Sequence, residues 1–447
     1  VPIGGTVLGI IADGVALYDA TTTASATCTV TSATGSFSAD DIGKVCVVIP
    51  YTDTGLTARY GTITAVASAT SLTASLSASP GALSGATFIY GSDNATAIDA
   101  ALTAASASAT KAVVELPFGI VCTTLEHTVP TGVTLRGQAN NPTGGKAKDF
   151  KHYGTSLVLC AFGSNGGLLL LGTTATSDPR GVHVADLNVD CANLSARAIY
   201  GGTLRTEHLL RVTAVRGTNA TYKSAPTSRA ELCVFLGQNQ WNTVELSGDA
   251  TFVNNIVTGA GNGYYGVKTD GENVAIQNNH IWKDSVASSM LGGSVWVSRH
   301  SGDLVKGGVI VQGNKFDTQY GPAVKISVSG SSTARAISVI GNHAQNNDAV
   351  VNNTGPFLLL DVGAGSILRG LVVQGNIARG SWNDPTKGQW SAFIDGTAVA
   401  GTIYGSVVGG NYMDNCNAMY ASFSPDHDNA NITMAGTGTT QTKSTTT

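Results

Sequence analysis

The feature that most constrains this chain is a repeated two-residue punctuation. Short runs of alternating hydrophobicity end in Gly-Asn or Asn-Asn: Phe252-Val253-Asn254-Asn255, Ile276-Gln277-Asn278-Asn279, Val311-Gln312-Gly313-Asn314, Val339-Ile340-Gly341-Asn342, Val373-Gln374-Gly375-Asn376 and Val408-Gly409-Gly410-Asn411. The final Asn residues lie 24, 35, 28, 34 and 35 positions apart. Fixed punctuation at roughly coil length, with variable insertions between, marks a solenoid in which one turn type recurs at one corner. Stacked Asn side chains can then hydrogen-bond from coil to coil. A second strand follows each Asn, at Gly266–Asp270, Val295–Ser298, Val324–Ser327, Leu358–Asp361 and Ala392–Asp395. Period two turns Val267, Val295, Val297, Val324, Ile326, Leu358, Leu360, Ala392 and Ile394 inward and leaves the other set facing out.

Composition agrees with short strands and tight turns. Charged residues make up 12% of the 447 positions, aromatics 6%, and Gly alone supplies 55. Gly, Thr, Ser, Val and Asn are poor helix formers, while 42% hydrophobic residues are enough to bury a core. The predicted fold is all-β: a single-stranded right-handed parallel β-helix. A net charge of −4 gives no footprint for nucleic acid, which is not an expected partner. No run of about 20 apolar residues is present, so no membrane span is expected. Val1-Pro2-Ile3-Gly4-Gly5-Thr6 has neither an initiator Met nor a basic leader, and Val7–Ala12 is too short for a signal core. The expectation is a removed signal or another route out of the cell, and hence an extracellular or virion location. The seven cysteines are scattered without a CxxC pair, which argues against zinc and for small core fillers.

Three zones follow. Residues 1–92 alternate β-like runs with turns and are predicted to form a small β-rich domain. A capping helix opens the second zone, with Asp93 or Asn94 at its N-terminus and Ile98, Ala101, Leu102 and Ala105 at helical spacing. The β-helix is expected over 93–435, and 436–447 reads as a flexible Thr/Ser-rich tail.

Asp93–Leu102, then Val114-Glu115-Leu116-Pro117-Phe118-Gly119, then Val133-Thr134-Leu135-Arg136-Gly137, resembles the opening of the pectate-lyase-like β-helix superfamily. That group includes polygalacturonase-like hydrolases, pectate lyases, and bacteriophage tailspike and tail-fibre depolymerases. The resemblance implies a polysaccharide partner, a homotrimer and, for a phage protein, other virion proteins. The hydrolase motifs Asn-Thr-Asp, Gly-His-Gly and Arg-Ile-Lys are absent, and the pectate-lyase Trp-x-Asp-His segment is echoed only by Val295–His300, without the acid. Residue roles are therefore not carried over.

Candidate chemistry lies on the outward face of the second strand column. One ladder is expected to hold Lys268, Trp296, Lys325, Leu359 and Phe393, and a neighbouring one Asp270, Ser298, Ser327, Asp361 and Asp395. Asp361 and Asp395 each fall 19 positions after their Asn. On adjacent rungs ~4.8 Å apart their carboxylates would stand at roughly 5 Å, the spacing of a retaining glycosidase pair. Trp296 and Phe393 would offer faces to sugar rings, and His300 a base. Lys268 and Lys325 beside Asp270 could serve an elimination, in which carboxylates or Ca²⁺ would neutralise a uronate; otherwise no cofactor or metal is expected. Trp282, Trp382 and Trp390 fall in predicted insertions that could wall a groove.

Plainer readings stand beside these. Asp395-Gly396 can simply cap a turn, and outward Trp296, Leu359 and Phe393 can bury against another subunit. Asp186, Asp190 and Glu207 read chiefly as ordinary coil sequence, and His208 and His280 as turn or surface residues. Two functions remain: a depolymerase of bacterial cell-surface polysaccharide, with hydrolysis favoured over elimination, or a non-catalytic virion or surface protein that binds a glycan.

Overall fold

The computed structural model describes residues 9–51, 58–108, 112–143, 145–163, 166–172, 181–202, 206–237, 241–259, 263–283, 292–299, 306–318, 321–346, 355–380, 390–414, 418–423, 427–429, 431–434 and 441–444. The chain divides into two compact units, 1–225 with 232–239 and 226–231 with 240–447.

The first unit opens with a closed antiparallel barrel. Its strands are β1 (Val15–Thr22), β2 (Thr27–Thr31), β3 (Val45–Ile49), β4 (Arg59–Ser68), β5 (Ser71–Leu76) and β6 (Leu83–Gly91), in the order β1-β2-β5-β4-β3-β6. Phe37, Phe88 and Tyr90 fill its centre with Cys28, Val30, Ile63 and Leu72. Helix α1 (Ala95–Ser106) follows, burying Ile98, Ala101, Leu102 and Ala105 as their spacing predicts. The Asp93 carboxylate accepts the Ala95 N–H at 3.0 Å and the Thr124 N–H at 3.0 Å, tying the helix start to a coil. Parallel coils then begin: Val133–Arg136 pairs in register with Ala112–Glu115, Thr155–Leu159 with Gly119–Thr123, and Val182–Asp190 with Glu207–Val215.

In the second unit each coil contributes a strand before its Asn, a strand directly after it, and a third strand on a separate sheet, so the chain is a parallel β-helix. The residue before each Asn has left-handed backbone: φ is 57° at Asn254, 56° at Asn278, 65° at Gly313, 61° at Gly341, 63° at Gly375 and 64° at Gly410. Only Gly, and less readily Asn, adopts that conformation cheaply, which explains the first half of the punctuation.

The second half is a buried ladder. Each Asn Nδ2 donates to the next Asn Oδ1, at 3.1 Å from Asn255 to Asn279, 3.0 Å to Asn314, 2.9 Å to Asn342, 2.9 Å to Asn376 and 3.0 Å to Asn411. The same Oδ1 accepts the backbone N–H of the previous Asn, and the other Nδ2 hydrogen reaches a neighbouring strand's carbonyl, as from Asn342 to Val311 at 2.9 Å. An interior amide thereby fills both donor and both acceptor positions. The separate sheet, built from the third strand of each coil, is the third sheet, and Val267, Val295, Val297, Val324, Ile326, Leu358, Leu360, Ala392 and Ile394 are fully buried beneath it.

One structural expectation changes at the C-terminal end. Within the segment expected to be a flexible tail, Gln441–Ser444 forms a strand antiparallel to Asn431–Met434. Among the described residues no helix is long and apolar enough to cross a membrane.

Candidate functional site

The outward ladder of the third sheet in the second unit runs Glu245, Lys268, Trp296, Lys325, Leu359 and Asp395, each in register with the next. The half-buried Trp296 has a lysine on the rung to either side. The Lys268 ammonium lies 4.8 Å from the indole centroid and that of Lys325 5.6 Å, within reach of the ring's negative face. The indole Nε1–H donates to Ser327 Oγ at 2.9 Å, and Tyr265 packs on the ring at a centroid separation of 5.5 Å. Burial pushes the Tyr265 phenol well above its ordinary pKa, so the hydroxyl stays protonated. Lys325 Nζ also pairs with Asp361 Oδ2 at 3.0 Å. Trp296 is thus fixed on four sides, with its flanking cations turned toward the surface.

Two corrections concern this ladder. Asp395 is in register with Leu359, and Asp361 with Ser327, so the two aspartates do not share a row. Counting from each Asn assumed equal connections. Leu358 lies 16 positions after Asn342, whereas its partner Ile394 lies 18 after Asn376. The offset is one rung and two residues, which separates the Cα atoms by about 8 Å rather than 5. Asp395 Oδ1 accepts the Thr397 N–H at 2.8 Å and so caps its own turn. Phe393 is not an outward platform either: it is fully buried and stacks on Phe357 at 4.7 Å with the rings 6° from parallel. That aromatic pair holds the register which the longer connection would otherwise leave loose.

The remaining candidates scatter. Asp270 is exposed, just beyond the end of the Val267–Thr269 strand. Trp390 is fully buried and donates Nε1–H to the Arg379 carbonyl at 2.8 Å, so it does not wall a groove. Trp282 belongs to the strand His280–Lys283 rather than an insertion. His300 and Trp382 lie outside the described residues.

A polar surface that sequence reasoning passed over covers the strands directly after the Asn residues. Its outward rows are His280, Lys315, His343 and Ile377, and Trp282, Asp317, Gln345 and Arg379. The His280 imidazole donates through Nε2 to Asp317 Oδ2 at 2.6 Å, and Lys315 Nζ approaches the same oxygen at 3.1 Å. His280 is therefore a part-exposed strand residue hydrogen-bonded to Asp317: of the turn or surface placement expected for it, the surface half holds and the turn does not. Burial pushes the Asp317 carboxyl upward, but hydrogen bonds from His280 and Lys315 prevail and hold it below the usual carboxylate range. Held ionised, Asp317 is an acceptor and not a proton donor near neutrality. Burial, helped by Arg379 and Lys315, pushes His343 below the ordinary imidazole value and keeps it neutral. The signal was available as the first and third positions after each Asn.

In the first unit, Thr123 Oγ1 lies 2.8 Å from His127 Nε2, whose Nδ1 lies 2.7 Å from Asp99 Oδ1. The order is that of a nucleophilic triad, but Thr123 and His127 are fully buried, so the relay clamps α1 to a coil. Asp190 and Glu207 are also interior. Among the described residues no group of three or more His, Cys, Asp or Glu is arranged to hold a metal ion.

No protein-family model and no curated protein matches the chain. Solved structures similar to it include the A-module of the Azotobacter vinelandii mannuronan C-5 epimerase AlgE4, at 13% identity and TM-score 0.41, covering 75% of this chain and 95% of that one. The Dettilon tailspike protein matches at 14% identity and TM-score 0.46 over 74% of this chain, which spans only 65% of the tailspike's length. A lidless DFA-IIIase from Arthrobacter chlorophenolicus A6 matches at 14% identity and TM-score 0.48, covering 76% and 90%. The parallel β-helix fold expected from the resemblance is what the strand registers show.

Proposed function

We propose that this chain binds a bacterial cell-surface polysaccharide along the third sheet and depolymerises it by hydrolysis. The observation that carries the reading is the fixed Lys268–Trp296–Lys325 row with Asp361 ion-paired beside it. A pre-positioned indole and polar groups at rung spacing suit sugar rings and their hydroxyls. Asp361 and Asp395 are offset by one rung and two residues, about 8 Å between Cα atoms, so the register no longer supports the ~5 Å carboxyl spacing of a retaining pair. The anomer of the product decides between retention and inversion. On this reading the protein works outside the cell or on a phage tail, and a homotrimer is the assembly to test by light scattering.

The test is incubation with host capsular and cell-wall polysaccharides. Hydrolysis gives new reducing ends without absorbance in the unsaturated-uronate band, and proton NMR gives the product anomer. Asp361→Asn and Asp395→Asn should each lower turnover by at least about 100-fold with unchanged thermal stability. Undiminished turnover in both would remove the pair from the mechanism. The turn-capping bond of Asp395 favours a second reading, a glycan-binding protein without catalysis; binding that depends on Trp296, with no release of reducing ends from any glycan, would select it.

A further inference from the structure

The strands before the Asn corner carry a cationic feature that the sites above do not use. Thr333–Ile340 pairs with Ile367–Gln374 so that Arg335 stands in register with Arg369. Gly307 precedes them in the same outward row and Tyr404 follows. Both arginines are exposed, and Tyr404 is 53% exposed. Left-handed residues come next in the chain, Gly308 at φ 75°, Ala336 at 51°, Gly370 at 71° and Gly405 at 61°. They bend every strand at the same point and leave the arginine row on the rim of a corner.

Like charges directly opposite in a sheet are destabilising. Elsewhere exposed strand arginines are neutralised: Arg136 pairs with Glu115 at 2.5 Å, Arg211 with Asp186 at 2.5 Å and Arg229 with Glu231 at 2.7 Å. Neither Arg335 nor Arg369 has an ion-pair partner among the described residues. Two guanidinium forks about 4.8 Å apart can close on one oxyanion from both sides. Gly307 leaves the row open at one end, and the Tyr404 ring offers a sugar face at the other.

We propose that Arg335 and Arg369 form a subsite for an acidic group on a polysaccharide, a carboxylate or a sulfate or phosphate ester, with Tyr404 beneath the adjoining sugar. The inference rests on the glycan-directed reading and adds that the glycan, or a branch of it, is acidic.

The test uses the full chain with a uronic-acid polysaccharide, its carboxyl-reduced neutral counterpart, and sulfated and phosphorylated polymers, followed by calorimetry at low and high salt. The wild type should bind at least one acidic polymer about tenfold more tightly than the neutral one, with a preference that fades as salt rises. Which acidic polymer is held identifies the ester or carboxylate. Arg335→Gln with Arg369→Gln should abolish the preference while leaving the melting temperature unchanged or raised, because repulsion is relieved. Arg335→Lys should retain part of it. Acidic binding undiminished in the double variant, or no preference in the wild type, overturns the subsite. If neutral glycans are still bound and cut in a manner that depends on Trp296, the broader reading stands while the subsite fails. If acidic polymers are held through the arginines but Trp296→Ala and Asp361→Asn change nothing, the subsite stands and the broader reading fails.

Discussion

The two units weight the problem of polar groups inside a solenoid differently. The second runs an uncharged column along its coils, in which Asn255, Asn279, Asn314, Asn342, Asn376 and Asn411 are 0–1% exposed and satisfy one another, and its buried Arg299 donates to the carbonyls of Ser298 and Gly271. The first encloses acids together with their ionisable partners. His152 Nε2 lies 2.8 Å from Asp190 Oδ2, Arg216 lies 3.5 Å from the same oxygen, and Tyr18 receives the His152 N–H at 2.8 Å. One coil away the fully buried Glu207 accepts the Tyr222 hydroxyl at 2.5 Å and the Ala225 N–H at 3.0 Å. A neutral column can be repeated without limit, because each amide's needs are met by the next. A buried charge is met only by a specific partner, so it appears once. The difference predicts where stability depends on single side chains and where it depends on pH.

The largest effect is expected in the neutral column. Asn342→Ala strands the Asn314 N–H and Nδ2 donors, which reach Asn342 Oδ1 at 3.0 and 2.9 Å, and removes the donor to the Val311 carbonyl. Several buried groups left unpaired at ~1–3 kcal/mol each amount to about 4 kcal/mol. Asn342→Asp should be no better, because it sets an oxygen against Asn376 Oδ1. Urea unfolding followed by intrinsic fluorescence measures both, and a loss below about 1 kcal/mol would mean that the column is not what holds the coils in register.

A smaller effect, with a pH signature, is expected in the first unit. Burial pushes the Glu207 carboxyl up to about 7, against hydrogen bonds from Tyr222 and Ala225 that pull it down. Its folded pKa exceeds the unfolded one, so its contribution is fully present below about 4.5 and is lost as pH rises through about 7, some 3 kcal/mol in all. Asp190 has the opposite sign. Although burial raises it, Arg216 and His152 hold it below its ordinary value, so its contribution is present above the usual carboxylate range and lost on acidification. Glu207→Gln should flatten the neutral limb and make the protein more stable than wild type at pH 8. Unchanged pH dependence of the melting temperature between pH 5 and 8 would contradict the assignment.

This contrast also explains what the sequence disclosed. Gly/Asn-Asn was legible because it carries two separate constraints at adjacent positions, a left-handed φ and a buried amide. Inward aliphatics such as Val295 and Ile326 followed from period two. The lysine-flanked Trp296 was legible because Lys268, Trp296 and Lys325 sit at matching places in coils with matching strands. Asp395 was misplaced because a loop's length, unlike a turn's chemistry, is not constrained by what stacks on it, and only the Phe357–Phe393 pair reveals the two-residue shift. Asp190 and Glu207 were visible as coil sequence, but their interior pairing was not, because an inward acid reads as a break in the alternation unless its partner, distant in sequence, is known. Arg335 and Arg369 escaped because each looks ordinary until register sets one above the other.

The smallest effect sharpens the comparison most, because it separates the two halves of the punctuation. At Gly341 an added Cβ would have no neighbour within 4 Å, and φ is 61°. Gly341→Ala therefore meets no clash and breaks no side-chain bond; its cost is that of holding an L-residue in left-handed backbone, about 1–2 kcal/mol. Gly341→Asn should cost less, since Asn already occupies the equivalent place at Asn254 and Asn278 with φ of 57° and 56°. A series in which Asn342→Ala exceeds Gly341→Ala, and that exceeds Gly341→Asn, would apportion the corner between amide ladder and backbone conformation. If Gly341→Ala instead matched Asn342→Ala, backbone conformation and not hydrogen bonding would be what makes this corner repeat.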